Sequence, residues 1–199
     1  MIEQRERLKK QIEFIKEIDK LKLILRQTVL MDQSRQENDA EHTWHLAMMA
    51  LVLLEHTTEP QPDLLKVFKM LLVHDIVEID AGDTFAYDVV GYEDKQEREM
   101  KAAERIFGLL PEDQRQELMS LWLEFEECDS LDAKYAAAID RTQPLLHNYY
   151  TGGVAWKKHG VRSSQVLARI SGVAEISPAL YELVTELIRD AVKQGYLQE

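Results

Sequence analysis

Apolar residues recur along this chain at helical spacing, not in strict alternation. Ile12, Ile15, Ile18 and Leu21, with Phe14 and Leu25, outline the inner face of a first amphipathic helix reaching about residue 25. The polar stretch 32–38 reads as a loop. Asp39 is placed to cap a helix over 40–55 that is apolar over most of its length, with Met48 and Met49 as core filling. Pro60 and Pro62 break the chain. Asp63 then caps a buried helix running through Leu64, Leu65, Phe68, Leu71 and Leu72 to about Glu78, ended by Ala81 and Gly82. A loop reaches Gly91. Further helices are expected over 93–107, exposed and of mixed charge, and over 112–127 behind Pro111. Another spans 131–150, with Pro144 kinking or ending it. Gly152 and Gly153 form a turn, 157–162 a basic loop, and 164–170 and 178–194 the last helices. There is no internal repeat or linker. The expected architecture is all-α, one domain over residues 1–199.

Composition narrows the function classes. Hydrophobic residues make up 45% and charged residues 30% of the 199, ordinary for a globular protein. The apolar runs near 46–54 and 71–73 are too short for a membrane span, and the first ten residues lack the apolar core of a secretion signal. Cys128 is the one cysteine, which rules out an intrachain disulfide and a cysteine zinc site, so a reducing cytoplasm is the expected compartment. The net charge of −12 repels nucleic-acid backbones. A small phosphorylated molecule remains compatible where a metal and a few cations reverse the field.

The chemistry centres on His74-Asp75. Adjacent helical residues lie about 100° apart around the axis, so both side chains can reach one ion beside the helix. His42 sits in the first turn of another apolar helix, and Asp140 follows Ala136-Ala137-Ala138, where small side chains permit close approach. Taken singly, each is as well read as a cap or a surface group. Together they border apolar segments, where a shared ion would satisfy them. Two imidazoles and two carboxylates suit Mn, Fe, Co, Ni or Zn better than Ca. Glu78, one turn after His74, and Asp83, after the Gly82 turn, are candidates for proton transfer beside such an ion. Alternatively Glu78 is a solvated last-turn residue and Asp83 caps the next loop.

The segments Ala40-Glu41-His42, His74-Asp75-Ile76-Val77-Glu78, Gly82-Asp83, Ile139-Asp140 and Pro144-Leu145-Leu146-His147-Asn148-Tyr149 resemble the HD-domain metal-dependent phosphohydrolases, in particular their 5′-deoxynucleotidase subgroup. The resemblance covers nearly the whole chain. It implies a helical HD-domain bundle, one divalent ion (Mn, Co, Zn, Fe, Ni or Mg) on His42, His74, Asp75 and Asp140, and Glu78 and Asp83 as catalytic carboxylates. It also implies Arg26, near the end of the first helix, as the phosphate-binding residue, a phosphorylated nucleotide as substrate, and often a homodimer. Some members follow that Arg with a Trp that excludes ribonucleotides. Gln27 stands there in this chain.

The reaction expected is hydrolysis of a (deoxy)nucleoside 5′-monophosphate. Alternatives on the same site are a nucleoside triphosphate hydrolase, a phosphodiesterase, or a non-catalytic metal-containing nucleotide binder; a pure binder gains nothing from Glu78 and Asp83. His45 reads as a histidine packed beside Trp44. His147, about two turns after Asp140, faces either the site or the core. Lys157, Lys158, His159 and Arg162 read as a solvated basic loop. No H-E-x-x-H or glycine-rich phosphate loop is present.

Overall fold

The computed structural model describes residues 2–88 and 90–199. Helices dominate, as expected. They are α1 (Ile2–Ile18), α2 (Asp39–Leu53), α3 (Leu64–Val73), α4 (Glu78–Ala81), α5 (Lys95–Phe107), α6 (Glu112–Glu127), α7 (Leu131–Tyr150), α8 (Val154–His159), α9 (Ser163–Ile170), α10 (Val173–Ile176) and α11 (Pro178–Lys193). Two short strands, β1 (Leu25–Val29) and β2 (Gln36–Asn38), pair antiparallel between α1 and α2. No helix among the described residues is long and apolar enough to cross a membrane.

The first expected helix is divided. α1 stops at Ile18, a tighter 3₁₀ turn carries Asp19–Leu23, and the chain then extends into β1. Phe14 and Leu21 are buried, whereas Ile12 and Ile15 face outward. Arg26 therefore stands on a strand, not at a helix end. The hairpin turns at Gln33 (φ 61°), where Asp32 Oδ1 accepts from the Ser34 N–H at 2.9 Å. The cap of α2 also moves by one residue. Asn38 Oδ1 accepts from the Glu41 N–H (3.0 Å) and Glu41 answers at the Asn38 N–H (3.2 Å), so Asp39 is the first helical residue and is buried.

α7 runs through Pro144 unbroken for 20 residues, and it forms the axis of the fold. Ala133, Tyr135, Ala136 and Ile139 pack it against α2, α3 and α6, in a core with Leu46, Ala50, Val67, Met70, Leu71, Leu121 and Phe125. Its other side meets α9, α10 and α11 through Ala138, Leu145, Val166, Ile170, Val184 and Ile188. A third cluster seats α1 and α5 on α6, with Ala102, Ala103, Ile106, Phe107 and Trp122, so α5 is amphipathic and not simply exposed. The expected basic loop is partly helical: α8 packs beside β1. Met49 fills the core but Met48 does not.

Candidate active site

The buried helix expected to reach Glu78 loosens before it gets there. His74 still closes an α-helical bond to the Met70 carbonyl, but Ile76 donates to Val73 and Glu78 to Asp75, a tighter winding. His74, Asp75 and Glu78 therefore do not share one regular helix face. The tight turns still bury all three side chains at the α2–α3–α7 junction. Gly82, at φ +77°, then reverses the chain and returns Asp83 toward the same place.

His42, His74, Asp75 and Asp140 converge. His42 Nε2 lies 3.0 Å from Asp140 Oδ1 and 3.9 Å from Asp75 Oδ2. His74 Nε2 lies 3.1 Å from Asp75 Oδ1 and 3.7 Å from Asp140 Oδ1. His74 Nδ1 donates to the Leu71 carbonyl at 2.8 Å, which turns Nε2 toward the carboxylates, where it can take an ion in exchange for its proton. That Nε2 atom is buried without a hydrogen-bond partner, as is His42 Nδ1. An ion between these donors would satisfy the orphaned nitrogen and offset the carboxylates, so the donor set fits a divalent metal.

Burial lowers the His42 pKa. It works the same way on His74, but Asp75 and Asp140 outweigh it and push His74 up to about 9. Burial would raise Asp140, yet the hydrogen bonds of the two imidazoles hold it well below the usual carboxylate range.

Arg26 enters from β1. Its Nη1 donates to Asp75 Oδ2 (3.0 Å) and Asp39 Oδ1 (3.4 Å) and lies 3.9 Å from Asp83 Oδ1. Burial and Asp75 push Asp39 up to about 7, and burial with Asp75 and Asp39 raises Glu78 well above its ordinary value. Asp83 is raised too, by burial and by Asp75 and Asp140, against Arg26. The place of Asp39 in the site, beyond the capping role read from the sequence, and that of Glu37 were not legible in the sequence. Asp39 opens α2 and Glu37 lies two residues before it, where an acid reads as a cap or dipole partner.

The site forms the floor of a cavity of about 300 Å³. Its walls include Phe85, Tyr87, Tyr92, Trp156, Val166 and Ile170, with Lys95, Arg141 and Arg169 as further cations. Arg169 Nη2 lies 4.0 Å from Asp140 Oδ2. Gln27 also lines the cavity, but its Oε1 accepts from Lys158 Nζ and His159 Nε2, both at 3.0 Å. Two members of the basic segment thus reach the cavity wall, and His159 packs on Phe85 with ring centroids 4.3 Å apart. His147 does not line the cavity. It is buried, and the partly exposed His45 faces it at a ring distance of 5.4 Å while the neighbouring Trp44 points outward.

A family model described as HD domain matches residues 18–181, and the chain belongs to that family. The 5′-deoxynucleotidase HDDC2 of Homo sapiens is 32% identical over 136 residues, 68% of this chain and 65% of the human protein. The chain thus spans slightly less than two thirds of that relative. A solved structure titled a predicted metal-dependent phosphohydrolase, from Magnetospirillum magnetotacticum MS-1, superposes with a TM-score of 0.91 at 51% identity. It covers 97% of this chain and 99% of its own. A protein from Pyrococcus horikoshii OT3, at 20% identity and TM-score 0.64, covers 92% of this chain and 99% of its own and shares the fold.

Proposed function

We propose that this protein is a divalent-metal-dependent phosphomonoesterase that removes the 5′-phosphate from nucleoside and deoxynucleoside monophosphates. The observation that carries the reading is the buried His74 Nε2, turned by the Nδ1–Leu71 hydrogen bond toward the junction of His42, Asp75 and Asp140. Those four residues would hold the ion, whether Mn, Co, Zn, Fe, Ni or Mg. When bound, such an ion acidifies water and draws negative charge from a phosphoryl oxygen. The chain's own residues do the rest. Arg26, braced by Asp75 and Asp39, offers its remaining donors to the phosphate and fixes its orientation. Glu78 and Asp83 flank the same floor. One accepts the proton of the attacking water, and the other returns a proton to the departing sugar oxygen. The names of the human and Magnetospirillum relatives support this chemistry.

The cavity favours one phosphate. Its lining sets Asp75, Glu78, Asp83, Glu99, Glu126 and Asp140 against Arg26, Lys95, Arg141 and Arg169. Lys95 is already engaged by Glu99 at 2.8 Å. A triphosphate adds negative charge that this balance does not offset. The aromatic wall, Phe85, Tyr87 and Trp156, suits the nucleoside. At the sugar, Gln27 offers a carboxamide where some relatives carry an indole, so discrimination against ribose should be weak. Rates on dAMP and AMP test this: comparable rates support the reading, and strong exclusion of AMP contradicts the role given to Gln27. The sole cysteine fits a reducing cytoplasm.

A further inference from the structure

Behind the cavity, three elements bring together a second set of donors. Glu37 from β2, His45 from α2 and His147 from α7 each offer one ligand atom, all within 4.8 Å of one another. His45 lies one turn beyond His42 and His147 two turns beyond Asp140, so α2 and α7 meet twice over nitrogen and oxygen donors. His147 Nδ1 donates to the Val29 carbonyl at 2.9 Å. Its Nε2 is therefore a lone pair, 3.3 Å from His45 Nδ1 and 3.8 Å from Glu37 Oε1. Glu37 accepts at both oxygens, from Gln143 Nε2 (2.7 Å) and Thr28 Oγ1 (3.2 Å), and so acts as a carboxylate. It is 1% exposed, and its neighbouring guanidinium, Arg26, lies 4.0 Å away and is shared with Asp39 and Asp75.

Gln143 Nε2 stands among all three groups, 2.7 Å from Glu37 Oε1, 3.0 Å from His147 Nε2 and 3.4 Å from His45 Nδ1. Its Oε1 is buried with no partner. The amide nitrogen thus stands where a cation would bridge one carboxylate oxygen and two imidazole nitrogens.

We propose that Glu37, His45 and His147 form a second divalent-cation site, suited to zinc, cobalt or nickel, the ion taking the place of the Gln143 amide nitrogen. Ligand bonds of about 2.1 Å in a tetrahedron place donors about 3.4 Å apart, which matches the 3.3 Å and 3.8 Å separations. A cation here compensates Glu37. It also fixes that carboxylate beside Arg26 and 3.7 Å from His42 Nδ1, on the far side of the candidate active site. His45 is partly exposed and gives the ion a way in.

Zinc alone is the probe. Crystals of the full chain soaked in zinc should give an anomalous-difference peak bonded to Glu37, His45 and His147, apart from any peak at His42, His74, Asp75 and Asp140. In solution, His45→Ala and His147→Ala should each bind one zinc fewer than the wild type by elemental analysis, with a retained helical circular-dichroism spectrum as the check on folding. If either variant fails to fold, the map of the wild type decides. A map with no peak at this cluster overturns the proposal, as does equal zinc content in wild type and folded variants.

Discussion

At Arg26 one guanidinium meets Asp75 at 3.0 Å, Asp39 at 3.4 Å and Asp83 at 3.9 Å. An ammonium would keep the charge but lose the planar fork that braces against carboxylates while donating to phosphate. Arg26→Lys should therefore raise KM for dAMP by about tenfold, roughly the 1.4 kcal/mol of one lost charge-assisted contact. Kinetics identical to wild type would show that the phosphate is held elsewhere. The carboxylates make the complementary case. Glu78 and Asp83 lie beside the four converging donors without belonging to that set. Glu78→Gln and Asp83→Asn should each lower kcat by about 10²-fold or more while bound manganese, measured by elemental analysis, stays unchanged. Loss of metal in step with activity would make them ligands and not proton carriers.

Among the helices α7 organises the fold, because it holds Asp140 and packs on both sides. Tyr135, fully buried on it, donates to the Ala50 carbonyl of α2 at 2.8 Å. Tyr135→Phe should cost about 1 kcal/mol in urea unfolding, and a variant as stable as wild type would show that bond contributes nothing net. Gly153 starts the turn into α8 at φ +77°, and a Cβ there would come within 2.0 Å of the Tyr196 carbonyl oxygen. Gly153→Ala should lower the melting temperature by several degrees, at roughly 2–4 °C per kcal/mol for a chain of this size. The helices of this core were legible because apolar residues such as Leu64, Phe68 and Leu71 recur at helical spacing, and so were the four converging donors, which sit at the borders of such segments. The β1–β2 hairpin was not legible. Leu25–Val29 has one buried residue, Thr28, and pairs with only three residues of β2, too short an alternation to register. The break after Val73 was hidden for a different reason. His74–Val77 contains no Gly or Pro, and the tight winding there comes from tertiary packing, which no local signal announces. Glu37 and Asp39 escaped notice because their roles depend on Arg26, Gln143 and Glu78, distant in the chain.

Over the whole molecule, one face looks unfinished for a chain on its own. α2 exposes Trp44 (67%), Met48 (42%), Leu51 (50%) and Val52 (60%) along one stripe, and α3 beside it exposes Leu65 and Leu72. We take this stripe as the contact between two copies, in line with the homodimer expected from the family resemblance. Light scattering should give a dimer mass for the wild type and a monomer mass for Trp44→Glu combined with Leu51→Glu; a monomeric wild type would reject it. The net charge of −12 leaves the candidate active site dependent on its few cations and on the ion. The central claim is accordingly tested by one assay: phosphate release from dAMP and dATP by protein stripped of metal and then reloaded with Mn, Co, Zn or Mg. The stripped protein should release no phosphate, at least one metal should restore release, and dAMP should be hydrolysed faster than dATP. Full activity without metal, or faster hydrolysis of dATP than dAMP, would contradict it.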